Sequence, residues 1–245
     1  MKTPLIGFAT GNIYRLAKQD RSNLLDFARK LNIQALELTF ADRKDLEETN
    51  LRKQHIHWLR KLDYVSIHAP FRLIQDSETS KQVIEQLDMI ATLYHLTKAC
   101  NVIIHPSDLP EKEILASYDM NFSTENMPRK KRYCMYNTAR LCSVFSRYPD
   151  IGLCLDVSHA YLWSEVETAQ LVDHFKDRIT QVHVSGTYRN KDHQGLGMVT
   201  ERFWKSIEPL RLLNAPFIYE SDLNQKNPGF FQEEIECLKR FLRKK

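Results

Sequence analysis

The chain has no long apolar run. Its longest fall far short of the ~18 residues that cross a bilayer. The opening "MKTPLIGFAT" offers one lysine before a very short apolar patch, so neither a membrane span nor a secretory signal is readable. These absences point to a cytoplasmic protein with no membrane partner. Cysteine is equally uninformative: Cys100, Cys134, Cys142, Cys154 and Cys237 are odd in number and never spaced C-x-x-C. That excludes an obvious disulfide framework and leaves reduced packing residues. No Gly/Ser linker, short fixed repeat or low-complexity tract appears, so residues 1–245 read as one domain. Charge of one sign is also scarce. The net is +4, and its densest pieces, "PRKKR" at 128–132 and the terminal "RFLRKK", can touch phosphate but as a rule are solvated helix faces or tails. What is present, 42% hydrophobic and 27% charged residues, is ordinary for a soluble globular protein with a sizeable core.

Short apolar runs alternate along the chain with longer helical patterns. The runs are "PLIGFAT" (4–10), "IQALELTF" (33–40), "YVSIHAPF" (64–71), "NVIIHPS" (101–107), "MNFSTEN" (120–126), "IGLCLDVS" (151–158), "ITQVHVSG" (179–186) and "PFIYESD" (216–222). Between them, 22–31, 80–99, 132–147 and 230–242 place apolar residues three and four apart, as helices do. Strand and helix in alternation require parallel strands. Runs apolar on both faces suit a sheet covered by helices, and eight repeats in this length match a closed (β/α)8 TIM barrel, an α/β fold. A doubly wound open sheet comes second, because no G-x-G-x-x-G follows the first strand and "GFATGN" alone is a weak glycine signal. The stretch "DLPEKEILASYD" leaves room for only a short helix.

The C-terminal ends of the runs carry the chemistry. The third ends in His68, the fourth in His105, the fifth in Glu125, the sixth in Asp156 with His159 just beyond, the seventh in His183 and the eighth in Glu220. Strand ends converge on one mouth in a barrel. Three carboxylates there would repel one another unless cations neutralise them, and four imidazoles beside them make a divalent metal the simplest such cation. Glu, Asp, His and Glu from four successive strands can supply a complete shell for Zn²⁺, Mn²⁺, Mg²⁺ or Co²⁺. On this reading Asp156 is a ligand, and His159 a neighbouring ligand or substrate contact. A lone strand-end histidine such as His68 or His105 is more often a satisfied hydrogen-bonding residue. His55, His57, His95 and His174 fall in helical stretches and are read as surface or packing residues.

The loop "HVSGTYRNKDHQGLG" (183–197) adds Arg189, Asp192 and His193. Arg189 can clamp a phosphate or a sugar oxygen with its planar fork, or be a solvated loop arginine. Thr187, Tyr188 and Lys191 receive no role. Glu37, in "IQALEL", can hydrogen-bond substrate or the groups behind it, or be structural.

The motifs "VSIHAPF", "VIIHPSD", "STENMP", "LDVSHA", "HVSG" and "IYESD", in this order, resemble the xylose isomerase-like TIM barrels, which include sugar and sugar-phosphate isomerases and epimerases together with endonuclease IV. The likeness spans nearly the whole chain. It implies that Glu125, Asp156, His183 and Glu220 bind the shared metal. In the isomerase and epimerase branch one ion polarises a sugar carbonyl while Glu125 and Glu220 move a proton between carbons, and His159, Arg189, Glu37, His68 and His105 are the candidate substrate contacts.

In the endonuclease IV branch, His68, His105, His159 and a D-x-H pair complete a cluster of three zinc ions that cleaves DNA beside an abasic site, with Phe71 where an aromatic would enter the DNA. The chain departs from that pattern: Asp192 directly precedes His193, so the pair would need an acidic residue in place of Lys191 or a shifted backbone. The +4 charge is also weak for a protein that wraps DNA. The expectation is therefore a one-metal isomerase or epimerase acting on a small-molecule sugar or sugar phosphate. Second comes an abasic-site phosphodiesterase with up to three ions and DNA as partner, and third a non-catalytic metal-binding barrel. A homo-oligomer is compatible with either enzyme.

Overall fold

Each of the eight apolar runs contains a strand, shortened at its ends. They are β1 (Ile6–Ala9), β2 (Ala35–Thr39), β3 (Tyr64–His68), β4 (Asn101–Ile104), β5 (Phe122–Glu125), β6 (Gly152–Asp156), β7 (Ile179–Val184) and, after a hairpin of β8 (Gly186–Tyr188) and β9 (Lys191–Gln194), β10 (Phe217–Tyr219). All eight pair in parallel in the closed order β1-β10-β7-β6-β5-β4-β3-β2, a (β/α)8 TIM barrel. The computed structural model describes residues 4–14, 21–74, 80–129, 136–223 and 225–243. Cys134, most of the basic "PRKKR", the start of the helix read over 132–147 and the last two lysines lie outside the described residues.

The four helical patterns appear as α1 (Arg21–Ala28), α4 (Ser80–Thr97), α6 (Thr138–Arg147) and α10 (Pro228–Arg243). Shorter helices complete the ring: α2 (Arg43–Glu47), α3 (Lys53–Leu59), α5 (Lys112–Ala116), α7 (Val157–Tyr161), α8 (Glu167–Phe175) and α9 (Glu201–Ser206). The short connection after β4 holds a 3₁₀ turn at Pro106–Asp108 and the five-residue α5. His55, His57, His95 and His174 sit on helices, and His55 is buried against Asp26 at 2.9 Å.

Strand side chains alternate between faces, and here the two faces differ in kind. Ile6, Phe8, Leu36, Leu38, Val65, Ile67, Val102 and Ile104 face outward and join one large core with the helices, including Phe231 and Leu238 of α10. A separate, small apolar group of Ala9, Ala35 and Ile218 lies inside the barrel. Above it the inward face carries the buried polar side chains of Glu37, Ser66, His68, Glu125, Asp156 and His183, with Ile103 and Cys154 among them. The expectation of strands apolar on both faces therefore holds only for the outer face. Helices cover that face, whereas the inner face lines the site.

Small residues let the strands close at the narrow end. A Cβ added to Gly7 would stand 2.5 Å from the Ala35 carbonyl oxygen and 2.6 Å from its Cβ, both rigid neighbours in the paired β2. Gly7→Ala is expected to force β1 from β2 and destabilise the protein by about 1–3 kcal/mol. A lowered urea midpoint with an unchanged transition slope checks this.

Candidate metal centre

Two of the candidate ligands, Asp156 and Glu220, are fixed by local hydrogen bonds at the ends of their strands. Asp156 ends β6 and caps α7: its Oδ1 accepts from the His159 amide at 2.6 Å and the Ser158 hydroxyl at 2.8 Å. The three-residue spacing from Asp156 to His159 is thus the geometry of a helix N-cap. Asn126 clamps the same residue, its amide receiving the Asp156 N–H and donating to the Asp156 carbonyl, both at 2.8 Å. A second asparagine, Asn12, bridges the residues flanking Glu220. It donates to the Tyr219 carbonyl at 2.8 Å and accepts from the Ser221 amide. Neither asparagine carried a signal in the sequence beyond its place beside a motif.

Glu125 is the hub. Its Oε2 lies 3.4 Å from His68 Nε2 and 3.6 Å from His105 Nε2. Its Oε1 lies 3.1 Å from His159 Nδ1 and 3.5 Å from His183 Nδ1. His183 Nδ1 is also 2.9 Å from Glu220 Oε2, and His159 Nε2 is 3.0 Å from His193 Nε2. Three overlapping groups result, each with its donor atoms within 4.8 Å: His68, His105 and Glu125; Glu125, Asp156, His183 and Glu220; Asp156, His159 and His193. The loop resolves its own departure from the D-x-H pattern. His193 has a positive φ of 52°, which breaks the alternation of β9 and brings the preceding Asp192 carboxylate within 3.9 Å of His159 Nε2. The turn after β9 is pinned from α10 by Glu234, which accepts from the Leu196 and Gly197 amides and from the Tyr219 hydroxyl.

Two predicted residues stand elsewhere. Arg189 sits in the exposed β8–β9 turn with its guanidinium 5.2 Å over the Tyr188 ring, away from the cavity. Glu37 is fully buried beneath the centre and contacts His183 rather than the cavity. That cavity, about 800 Å³, opens over His68, His105, Glu125, His159, His193 and Glu220. Phe71, 43% exposed at its rim, stacks on His105 with centroids 5.2 Å apart. A larger hollow of about 1170 Å³ lies between Tyr64, Asn101, Gly152 and Arg178, and none of the candidate ligands lines it.

The fit to a cation rests on the central group. Glu125 Oε1, Asp156 Oδ2, His183 Nδ1 and Glu220 Oε2 are all buried without a hydrogen-bond partner among the described residues. Buried polar atoms left this way cost free energy. Four from one group is the pattern expected of ligands to a divalent ion. Without a metal, protons must take its place. Burial lowers His159, but the neighbouring Asp156 and Glu125 carboxylates outweigh it and raise it to about 10. Burial likewise opposes the charge on His68, yet Glu125 and Glu37 hold it at about 9. His105, with burial and the neighbouring His68 both against its charge, falls to about 3. Burial raises Asp156, while the neighbouring imidazoles outweigh burial at Glu220 and lower it to about 2.

Residues 25–241 match the model of the family described as "Xylose isomerase-like TIM barrel". No curated protein sequence matches the chain significantly. Among solved structures, a D-tagatose 3-epimerase-like protein is 17% identical with a TM-score of 0.73, covering 97% of each chain. Endonuclease IV from Thermus thermophilus is 19% identical with a TM-score of 0.70, covering 98% of this chain and 99% of its own. D-allulose 3-epimerase from Methylomonas sp. is 13% identical at a TM-score of 0.70, covering 98% and 99%. At such identities the likeness establishes the shared fold.

The raised imidazoles set a pH dependence. His68 and His159 titrate near 6.5 when unfolded and at about 9 and 10 when folded, so their contribution is complete below pH 6.5 and is lost as pH rises through 9 and 10. Chelator-treated protein is expected to melt at lower temperature at pH 9 than at pH 6.5, and Zn²⁺ is expected to abolish the difference. Thermal scans across that window test it, and a flat metal-free profile would contradict buried protonated imidazoles.

Proposed function

We propose that this chain, which belongs to the xylose isomerase-like TIM barrel family, hydrolyses a phosphoester using more than one divalent ion at the barrel mouth. The observation that carries this reading is the division of Glu125. One carboxylate oxygen faces His68 and His105, and the other faces His159 and His183. Such a carboxylate could serve two ion sites at once, and paired ions would supply the charge neutralisation that phosphoester hydrolysis needs.

On this reading Glu125, Asp156, His183 and Glu220 would hold a central ion, His68 and His105 with Glu125 would hold a second, and His159 and His193, with Asp156 and the nearby Asp192, would hold a third. Ions so held supply Lewis acidity toward the phosphoryl oxygens and a nucleophile at neutral pH. Glu220, at 12% exposure the least enclosed of the central carboxylates and a cavity-lining residue, accepts the proton of the attacking water. Arg72 and Lys191 line the same cavity and orient an anionic substrate, while Phe71 offers its face to a base or sugar ring. An abasic-site phosphodiester in DNA is the specific substrate to try first.

The order of readings thus differs from that drawn from sequence. A one-ion sugar isomerase or epimerase comes second, favoured by the placement of Glu125 and Glu220 in one four-residue group. It gives His68 and His105 only substrate contacts and His193 no role, and Arg189, its intended clamp, is stacked on Tyr188 in an exposed turn.

Metal content and turnover together test the proposal. We expect about two to three zinc or manganese ions per chain, with cleavage of an abasic oligonucleotide. Glu220→Gln is expected to lower kcat by about 100-fold or more, and His105→Ala to lose one ion together with activity. A single ion with turnover of a ketose or its phosphate would establish the isomerase instead. Ions without any turnover would leave the binding barrel.

A further inference from the structure

Glu37 is the one wholly buried carboxylate outside the three ligand groups among the described residues. It stands on β2, directly paired with Ala9 of β1 and Ser66 of β3, one level below the mouth. Its Oε2 accepts from Gln181 Nε2 at 2.6 Å and Ser66 Oγ at 3.2 Å, and lies 2.9 Å from His183 Nε2. An oxygen already receiving an amide N–H and a hydroxyl presents only lone pairs to the imidazole. His183 Nε2 stands between this carboxylate and Gln181 Nε2, which is 2.8 Å from it. Hydrogen on Nε2 gives the charged partner of the two its donor, the stronger of the alternative bonds.

That bond has a consequence at the opposite edge of the ring. In a neutral imidazole with hydrogen on Nε2, the lone pair resides on Nδ1, the atom that faces Glu125 Oε1 and Glu220 Oε2 and has no hydrogen-bond partner of its own. We propose that Glu37 is a positioning residue that fixes the tautomer and ring orientation of His183, so that Nδ1 is presented as a ligand to the central ion. Without it, hydrogen on Nδ1 would satisfy Glu220 and turn the ligand into a donor. The inference rests on the reading of Glu125, Asp156, His183 and Glu220 as ligands, and it is independent of which reaction follows.

The probe is Co²⁺ added to metal-free protein, read by chelator competition and by the visible spectrum. Glu37→Ala is expected to weaken the central site by about 10- to 100-fold and to alter the cobalt spectrum as an imidazole ligand is lost. Glu37→Gln, whose amide oxygen still accepts from Nε2, is expected to recover most of that affinity. Unchanged affinity and spectrum in folded Glu37→Ala would overturn the role of Glu37 while leaving the metal site intact. A wild-type chain that binds no Co²⁺ would overturn the reading of the site itself. Should Glu37→Ala fail to fold, nitrogen-15 NMR of the zinc-loaded wild type decides: hydrogen on His183 Nε2 supports the role, and hydrogen on Nδ1 sinks it.

Discussion

Four carboxylates, Glu37, Glu125, Asp156 and Glu220, are gathered inside or at the mouth of one narrow barrel, and the upper half of the molecule is organised around compensating them. Water cannot do it, since the first three are essentially inaccessible. Burying ionised carboxylates without partners is among the costliest things a fold can contain. Five imidazoles, those of His68, His105, His159, His183 and His193, are packed among them. Imidazole can meet a carboxylate as a protonated partner or stand beside it as a neutral ligand to a shared cation. A cluster built of these two groups can exchange protons for metal with little rearrangement.

Such a cluster needs a rigid frame, because its charges repel as readily as they attract. The frame is backbone held one rung beyond the barrel strands. Asn126 pairs with the main chain of Asp156, and Asn12 bridges the residues on either side of Glu220, so two acidic side chains emerge from peptides that cannot swing. Below them Glu37 ties His183 to Ser66 and Gln181 across the interior. The outer apolar core and its helices clamp the same strands from the other side.

Much of this was legible from residue order. Apolar runs located every barrel strand, and the six that end in His or carboxylate placed Glu125, Asp156, His183 and Glu220 at one mouth, because outward Val, Ile, Leu and Phe residues mark strands whatever faces inward. The polarity of the inner wall was hidden by short strands of three to six residues, in which two or three inward side chains are too few to show as alternation. The β8–β9 hairpin was invisible for a different reason. Its turn, Arg189 and Asn190, adopts the left-handed conformation without glycine, and so does His193. Positive φ at residues other than glycine thus conceals both the hairpin and the kink that sets Asp192 near His159. Glu37 was marked as a possible hydrogen-bonding residue, but its partner could not be named, since Gln181 and His183 lie some 144 to 146 positions away in the chain.

The grip of Glu234 on the turn at Leu196 and Gly197 bears on the order in which the molecule can be made. As the chain leaves the ribosome, β1 to β7 are synthesised with their histidines and most of their acids before β10 exists to close the ring between β7 and β1. The turn that follows the hairpin bearing Asp192 and His193 gains its hold on Glu234 once α10 has docked. Until then the mouth lacks the strand that leads through Tyr219 to Glu220 and the hydrogen bonds that fix the turn beside His193. Placing the last anchor in the final helix postpones the completed cluster until the barrel has closed.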